Sequence, residues 1–161
     1  MGPVAYTSLC LLGCLMLGPS LARAQGAGCP AGWTPHNGNC YGYFPRRMAW
    51  RQAEGQCQSF GAKSHLASIH SPEEQRVIAD LIARAHGYDD EVWIGLHIAG
   101  RSDNWVWVDG SPTVHEAWHK YRRHYSRKGE NCAALEDDSG YMTWDKDSCY
   151  DRNAFVCKLT L

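Results

Sequence analysis

Val92-Trp93-Ile94-Gly95-Leu96-His97 is the stretch that decides how this chain folds. It is apolar on successive residues rather than on alternate ones, and a polar loop, Tyr88-Asp89-Asp90-Glu91, precedes it. A short run of that character reads as a central, buried strand. Cysteines at positions 29, 40, 57, 132, 149 and 157 are spread on both sides of it. A buried strand framed by cysteines points to a small extracellular domain pinned by disulfides, a scaffold that displays its activity on loops.

The N-terminus supports that compartment. Residues 1–24 read as a signal peptide: residues 9–17 are mostly apolar but fall short of the roughly 20 needed to span a bilayer. Ala22-Arg23-Ala24 has the small-x-small form that precedes cleavage. Cleavage before Gln25 leaves residues 25–161 as one domain and removes Cys10 and Cys14. No second apolar run follows, so the mature chain is expected to be secreted, without a membrane span. Six remaining cysteines in a secreted domain imply full pairing, and fifteen connectivities are open. Zinc ligation is the competing use, but there is no C-x-x-C pair and no close Cys/His spacing.

Charge excludes some partners. The chain has 16 Lys+Arg and 17 Asp+Glu, and Arg23 is the only charge in the leader, so the mature net charge is −2. No global field steers such a protein to nucleic acid or to a membrane surface. There is no N-x-S/T sequon and no internal repeat.

Working outward from residues 92–97, the earlier half reads as a hairpin and two helices. Residues 29–44 form the hairpin, with Asn37-Gly38 as its turn. Residues 48–60 carry Ala49, Ala53, Cys57 and Phe60 at near-helical spacing, and Gly61 ends them. The second helix starts on a capping box, with Ser71 at the N-cap, Pro72 at the first helical position and Glu74 at the third. Val77, Ile78, Leu81, Ile82 and Ala85 form its apolar stripe, and Gly87 closes it. The later half is β-rich, with strands expected at 105–107, 132–135, 141–144 and 154–158. A polar segment without periodicity, residues 111–131, interrupts it, and a loop of that length is commonly functional. Helices first and strands after make an α+β domain.

Taken in order, Gly32-Trp33, Cys40-Tyr41, Ala53-Glu54 with Cys57, His65-Leu66-Ala67, Trp93-Ile94-Gly95-Leu96, Trp105-x-Trp107 with Asp109-Gly110, Cys132, Cys149 and Phe155-Val156-Cys157 resemble the C-type lectin-like domain, over residues 29–158. The resemblance implies the long form of that fold: two helices packed on short antiparallel sheets, with disulfides Cys29–Cys40, Cys57–Cys157 and Cys132–Cys149. Within the family, Gly42-Tyr43-Phe44, residues 64–70, residues 92–97 and residues 152–158 most resemble the avian eggshell matrix group of ovocleidin, ansocalcin and struthiocalcin.

Sugar-binding members of that family hold calcium in the long loop, on an Glu-Pro-Asn or Gln-Pro-Asp motif and a Trp-Asn-Asp motif. Calcium takes 6–8 oxygen ligands. Here the first motif aligns with Arg122-Arg123-His124, four residues after Trp118, and the second reads Trp144-Asp145-Lys146, five before Cys149. Guanidinium and ammonium groups have no lone pair to offer a cation. The expectation is therefore no metal and no cofactor.

The loops offer charge instead. Trp118, Lys120, Arg122, Arg123, Arg127 and Lys128 form a candidate anion- or ligand-binding loop. Asp89, Asp90 and Glu91, with Glu136, Asp137 and Asp138, form two acidic clusters suited to the calcium ions of a mineral face, where many weak contacts sum. Ordinary solvated loops account for either set equally simply. Ser71-Pro72-Glu73 fits a secretory Ser-x-Glu phosphorylation pattern, and a phosphate there would sit at a helix N-terminus. Of the tryptophans, Trp118 is expected to be the one outside the core. No G-x-S-x-G, H-E-x-x-H or free mature cysteine provides a catalytic constellation, so an enzyme is not expected. The resemblance to the eggshell group implies an extracellular matrix component that modulates calcium carbonate deposition. A lectin for glycans or peptidoglycan that works without the loop calcium is the alternative.

Overall fold

A computed structural model describes residues 28–85, 90–120, 129 and 131–161. The expected leader and Gly87 lie outside the described residues, as do Asp89, Arg122, Arg123, Arg127 and Lys128 of the candidate sites. The elements run β1 (Thr34–His36), β2 (Asn39–Met48), α1 (Trp50–Gln58), β3 (Ser64–Leu66), α2 (Pro72–Arg84), β4 (Val92–Ile98), β5 (Trp105–Trp107), β6 (Cys132–Leu135), β7 (Trp144–Asp147) and β8 (Asn153–Thr160).

β4 is central, between β8 and β6 in the order β1-β2-β8-β4-β6-β7, while β5 pairs with β4 and β3 with β8. The pairings are antiparallel except β4 with β8, which run parallel in the register Val92↔Ala154 and Trp93↔Phe155. Successive apolar residues on β4 are needed because each face meets its own core. Val92, Ile94 and Leu96 point to a cluster with Ile78 and Ile82 of α2 and with Ala154 and Val156 of β8. Trp93 points the other way, to a cluster with Trp50, Ala53 and Cys57 of α1 and with Phe155 and Cys157 of β8. The period-2 geometry of strands thus divides one apolar run between two helices.

Gly95 has a steric reason. A Cβ there would lie 2.5 Å from the Leu66 carbonyl oxygen. Its N–H donates to Ala67 O at 2.9 Å and its carbonyl accepts from Val108 N–H at 2.8 Å. The β4–β6 register slips between Trp93 and His97, freeing Gly95 to bond these two flanking segments. Two indoles lock the same place: Trp93 Nε1 donates to Met48 O at 2.9 Å, and Trp50 Nε1 to Ile94 O at 2.8 Å.

The three disulfides join Cys29 to Cys40, Cys57 to Cys157 and Cys132 to Cys149, as the resemblance implied. Two expectations change, and one short strand, β3, adds to those expected. The strand expected at 141–144 begins only at Trp144, because Gly140 and Tyr141 are both left-handed, at φ 67° and 65°, and close a turn instead. β3 has three residues, too few for a pattern to show. Glu74 sits at the third position of α2 but does not complete the capping box on Ser71: its Oε2 accepts from His70 N–H at 2.7 Å, while Ser71 Oγ accepts from Glu74 N–H at 3.0 Å.

That carboxylate is drawn into the core. Glu74 is 7% exposed and Lys158 8%. Glu74 Oε1 accepts from Tyr41 Oη and from Lys158 Nζ, both at 2.5 Å, and Lys158 also donates to Ser68 O and Oγ at 3.2 Å. Burial opposes the Glu74 charge, but the bonds from Lys158, Tyr41 and the His70 amide outweigh it and hold the carboxyl below its ordinary value of 4.5. Burial first, then the same carboxylate, push the Tyr41 phenol well up, so it remains a donor.

Candidate functional site

The long loop lies between β5 and β6, and its described stem, residues 117–119, runs beside the start of β7. Its stem is fixed by backbone: Trp144 N–H donates to Ala117 O at 2.8 Å and His119 N–H to Trp144 O at 3.1 Å, making a parallel bridge between Trp118 and Trp144. The bridge sets Trp118 beside Trp105, with ring centroids 4.9 Å apart, and beside Trp144 at 5.6 Å. Trp144 is fully buried and donates through Nε1 to Gln75 Oε1 at 2.7 Å. Trp118 is only partly buried, as expected, and Trp105 joins it there.

Lys146 completes this group. Its Nζ lies 5.8 Å from the Trp105 ring centroid and 5.9 Å from that of Trp118. A cation at that distance is attracted by both ring faces. In the resemblance Lys146 stands at an aspartate of the calcium site, so the position carries an ammonium where an oxygen ligand is required. The neighbouring Asp145 takes its own chain's Lys146 N–H at 2.8 Å. At this position the described residues do not fit calcium. Among the described residues no cluster of three or more His, Cys, Asp or Glu could hold a metal.

Beside the aromatic group is a groove of about 310 Å³, lined by Glu116, Ala117, Trp118, His119, Lys120 and Thr143. Lys120 is exposed. The acidic stretches approach the same end of the sheet. Val92 pairs with Leu135, and Leu135 pairs with Trp144, so residues 90–91, 136–138 and 143 share one edge although they are far apart in sequence. Thr143, a wall of the groove, donates through Oγ1 to Glu136 Oε2 at 2.6 Å.

The acidic residues differ in what they can reach. Asp138 is exposed and Asp137 half-buried, on a 3-10 turn, Asp137–Ser139. Glu136, expected with them at the surface, is 1% exposed, because the residue following β6 turns its carboxylate in toward Thr143; it does not face a lattice. Asp90 forms an ion pair with Arg47, with both side chains well exposed. Glu91 is half-buried. Ser71 is partly exposed, its hydroxyl engaged as the N-cap of α2.

Sequence reasoning missed Trp105 as a half-buried aromatic beside Trp118 and Glu74 as a core residue. The second was signalled: Glu74, Ile78 and Ile82 are spaced by four, on the buried face of α2. Lys158 follows Ala154 and Val156 at period 2 and so faces the same core.

Two helices on a mixed sheet, three disulfides and a long loop between β5 and β6 define a known class: the chain belongs to the Lectin C-type domain family, which matches residues 46–159. Struthiocalcin-2 of Struthio camelus is 45% identical over 139 residues, covering 82% of this chain and 96% of that protein. The crystal structure of ovocleidin-17, a major protein of the Gallus gallus eggshell calcified layer, superposes with a TM-score of 0.76 at 40% identity, covering 83% of this chain and all of that one. A calcium-independent type II antifreeze protein superposes with a TM-score of 0.71 at 32% identity, over 83% of this chain and 95% of its own.

Proposed function

We propose that this chain is a secreted, non-catalytic component of an eggshell matrix that modulates calcium carbonate deposition through its charged loops. The observation that carries the reading is the β4–β6–β7 register, which gathers Asp90, Glu91, Asp137, Asp138 and the stem of the basic loop at one end of the sheet. A carbonate lattice presents both signs of charge in fixed array, and a surface carrying both signs meets it at many points at once. Contacts weak singly sum through effective concentration. The Arg47–Asp90 pair does not block this, since exposed ion pairs hold weakly and exchange partners readily. Similarity to ovocleidin-17 and to struthiocalcin-2 supports the setting. Export through the leader, and the extracellular matrix as its destination, fit three disulfides, and no described helix is long and apolar enough to cross a membrane.

The test is adsorption to calcite and growth habit with purified protein. Neutralising Asp89, Asp90, Asp137 and Asp138 together as asparagines is expected to weaken adsorption roughly tenfold. Unchanged adsorption and habit would refute the reading. Glu136 is left alone because its burial makes any effect structural.

A second reading rests on the half-buried Trp105 and Trp118 beside the groove: binding of a glycan or peptidoglycan without loop calcium. It predicts elution from a peptidoglycan column by competing soluble sugar, which adsorption to mineral does not.

A further inference from the structure

A second concavity, of about 600 Å³, opens where the start of α1 meets the end of β4 and the Cys132–Cys149 bridge. It shares no lining residue with the Trp118 groove. Its size lies within the range of small-ligand sites, about 300–1,000 Å³. The inner surface is apolar: Trp50 is 4% exposed and Cys132 1%, with Ile98 beside them. The His97 ring lies along Trp50, centroids 4.5 Å apart and planes inclined by 32°.

The outer surface is polar and uncommitted. Arg51, Gln52, Asn131 and Tyr150 are all exposed. Tyr150 is 89% exposed, the most of any large apolar or aromatic side chain described. It is nevertheless well placed. Trp50 N–H donates to Cys149 O at 3.1 Å and Asp151 N–H to Ser148 O at 2.9 Å, so the ring stands on a turn tied to α1 by backbone and to β6 by a disulfide. An exposed aromatic on an anchored turn loses little freedom when a ligand covers it.

Among the described lining residues the charge is of one sign. Among the described residues that line it none is acidic, and no carboxylate among the described residues pairs with Arg51. Burial, to which the Arg51 charge adds, holds the His97 imidazole below its ordinary value against two backbone hydrogen bonds and the Glu54 carboxylate. Among the described lining residues Arg51 is the permanent cation.

We propose that this concavity binds a pyranose unit carrying a carboxylate or sulfate group. Tyr150 covers the C–H face of the sugar, where the negative face of the ring meets polarised C–H bonds. Arg51 takes the anionic group through its fork of N–H donors. Gln52 and Asn131 supply both donors and acceptors for ring hydroxyls. No metal takes part, and the site stands apart from the charged edge to which mineral adsorption is assigned.

The test is calorimetric titration of the full chain, with amide shift mapping, against three tetrasaccharides: hyaluronan, bearing carboxylates; chondroitin sulfate, bearing both groups; and uncharged chitotetraose. The anionic pair is expected to bind, with the chitotetraose at least about tenfold weaker and shifts at Gly100, Asn131 and Tyr150. Comparing hyaluronan with the sulfated probe assigns the anionic group. Tyr150→Ala and Arg51→Gln each lower affinity roughly tenfold, and the second removes most of its salt dependence. Both side chains are exposed, so thermal melting should be unaltered. Arg76→Gln, which removes an exposed cation on α2, leaves binding as it was. No binding, equal binding of chitotetraose, insensitivity to both pocket variants, or an equal loss in Arg76→Gln would overturn the proposal. So would a concentration-dependent dimer that Tyr150→Ala abolishes, which would give the surface to a second copy. Calcite adsorption of the Arg51 and Tyr150 variants stays at the wild-type level if both this site and the charged edge exist.

Discussion

The middle of β4 and the Trp118 end of the sheet use the same kinds of residue under opposite constraints. Around β4, Trp93 and Trp50 are buried and each indole N–H has one backbone carbonyl as its partner, while Gly95 leaves space that the Leu66 carbonyl fills. Substitution there loses packing and strands a buried acceptor together. At the other end Trp105 and Trp118 are half-buried, and what they hold is the Lys146 ammonium. A cation over ring faces is retained by electrostatics and tolerates small shifts. The interior is thus specified group by group, and the loop end by charge and exposure. A position at which the family resemblance implies a metal ligand can therefore bear a lysine while the sheet around it keeps its register.

The largest effect that tests this contrast comes from the disulfides. Cys57–Cys157 joins α1 to β8 across a separation of 100 residues, and Cys29–Cys40 closes one of 11. Loop-closure entropy assigns about 4.7 kcal/mol to the former and about 3 kcal/mol to a loop near 15 residues. Replacing Cys57 and Cys157 by alanine should therefore lower stability in urea by more than replacing Cys29 and Cys40. Equal losses would mean that the hairpin at the N-terminus is as much a part of the frame as the β8 connection.

The frame was legible in the sequence because its constraints are local and typed. A strand apolar on both faces, a Ser-Pro-x-Glu helix start and six cysteines each leave a mark at fixed spacing. The misreadings have the opposite character. Residues 141–144 look like a strand by composition, yet two consecutive left-handed residues turn the chain at 140–141, and only the second of these is not a glycine. Glu136 reads as acidic surface because nothing local tells that Thr143 will receive it. Trp105 and Lys146 meet only after β5 and β7 are both placed, 41 positions apart in the chain. Side-chain partnership across the sheet depends on register, and register is what a single sequence specifies least.

A smaller loss is expected at the buried Glu74–Lys158 pair. Removing one member of such a pair leaves the other's charge without its partner, at a cost on the order of 3 kcal/mol. Glu74→Gln keeps an acceptor for Tyr41 but not the charge that faces Lys158, so unfolding at pH 7 should register that loss. The pH dependence has a fixed sign. A carboxyl held below its ordinary value of 4.5 in the folded protein stabilises above that pH, and its contribution falls away as pH drops through the folded value. His70 and His97, both held below 6.5, chiefly by burial, act in the same direction at a higher window: the unfolded chain gains protons first, so stability declines as pH falls from about 6.5. Wild type should therefore lose stability in two stages on acidification, and Glu74→Gln should lack much of the second. An unchanged acid limb in that variant would remove the pair from the frame.

The smallest effect belongs to Lys146. If its role is to rest on Trp105 and Trp118, Lys146→Met keeps the apolar stem and loses only the cation–π attraction, about 0.5–1 kcal/mol. Lys146→Arg should retain it, since guanidinium also stacks on indole. Equilibrium unfolding followed by tryptophan emission reads both quantities, because the altered residue faces two of the seven tryptophans. A loss of several kcal/mol in the methionine variant would place Lys146 with Trp93 and Glu74, as a residue the sheet requires. A loss near the expected value, with the Trp118 stem intact, would mean that charge at this end of the molecule varies without penalty to the fold, which leaves it open to whatever surface chemistry the loop carries.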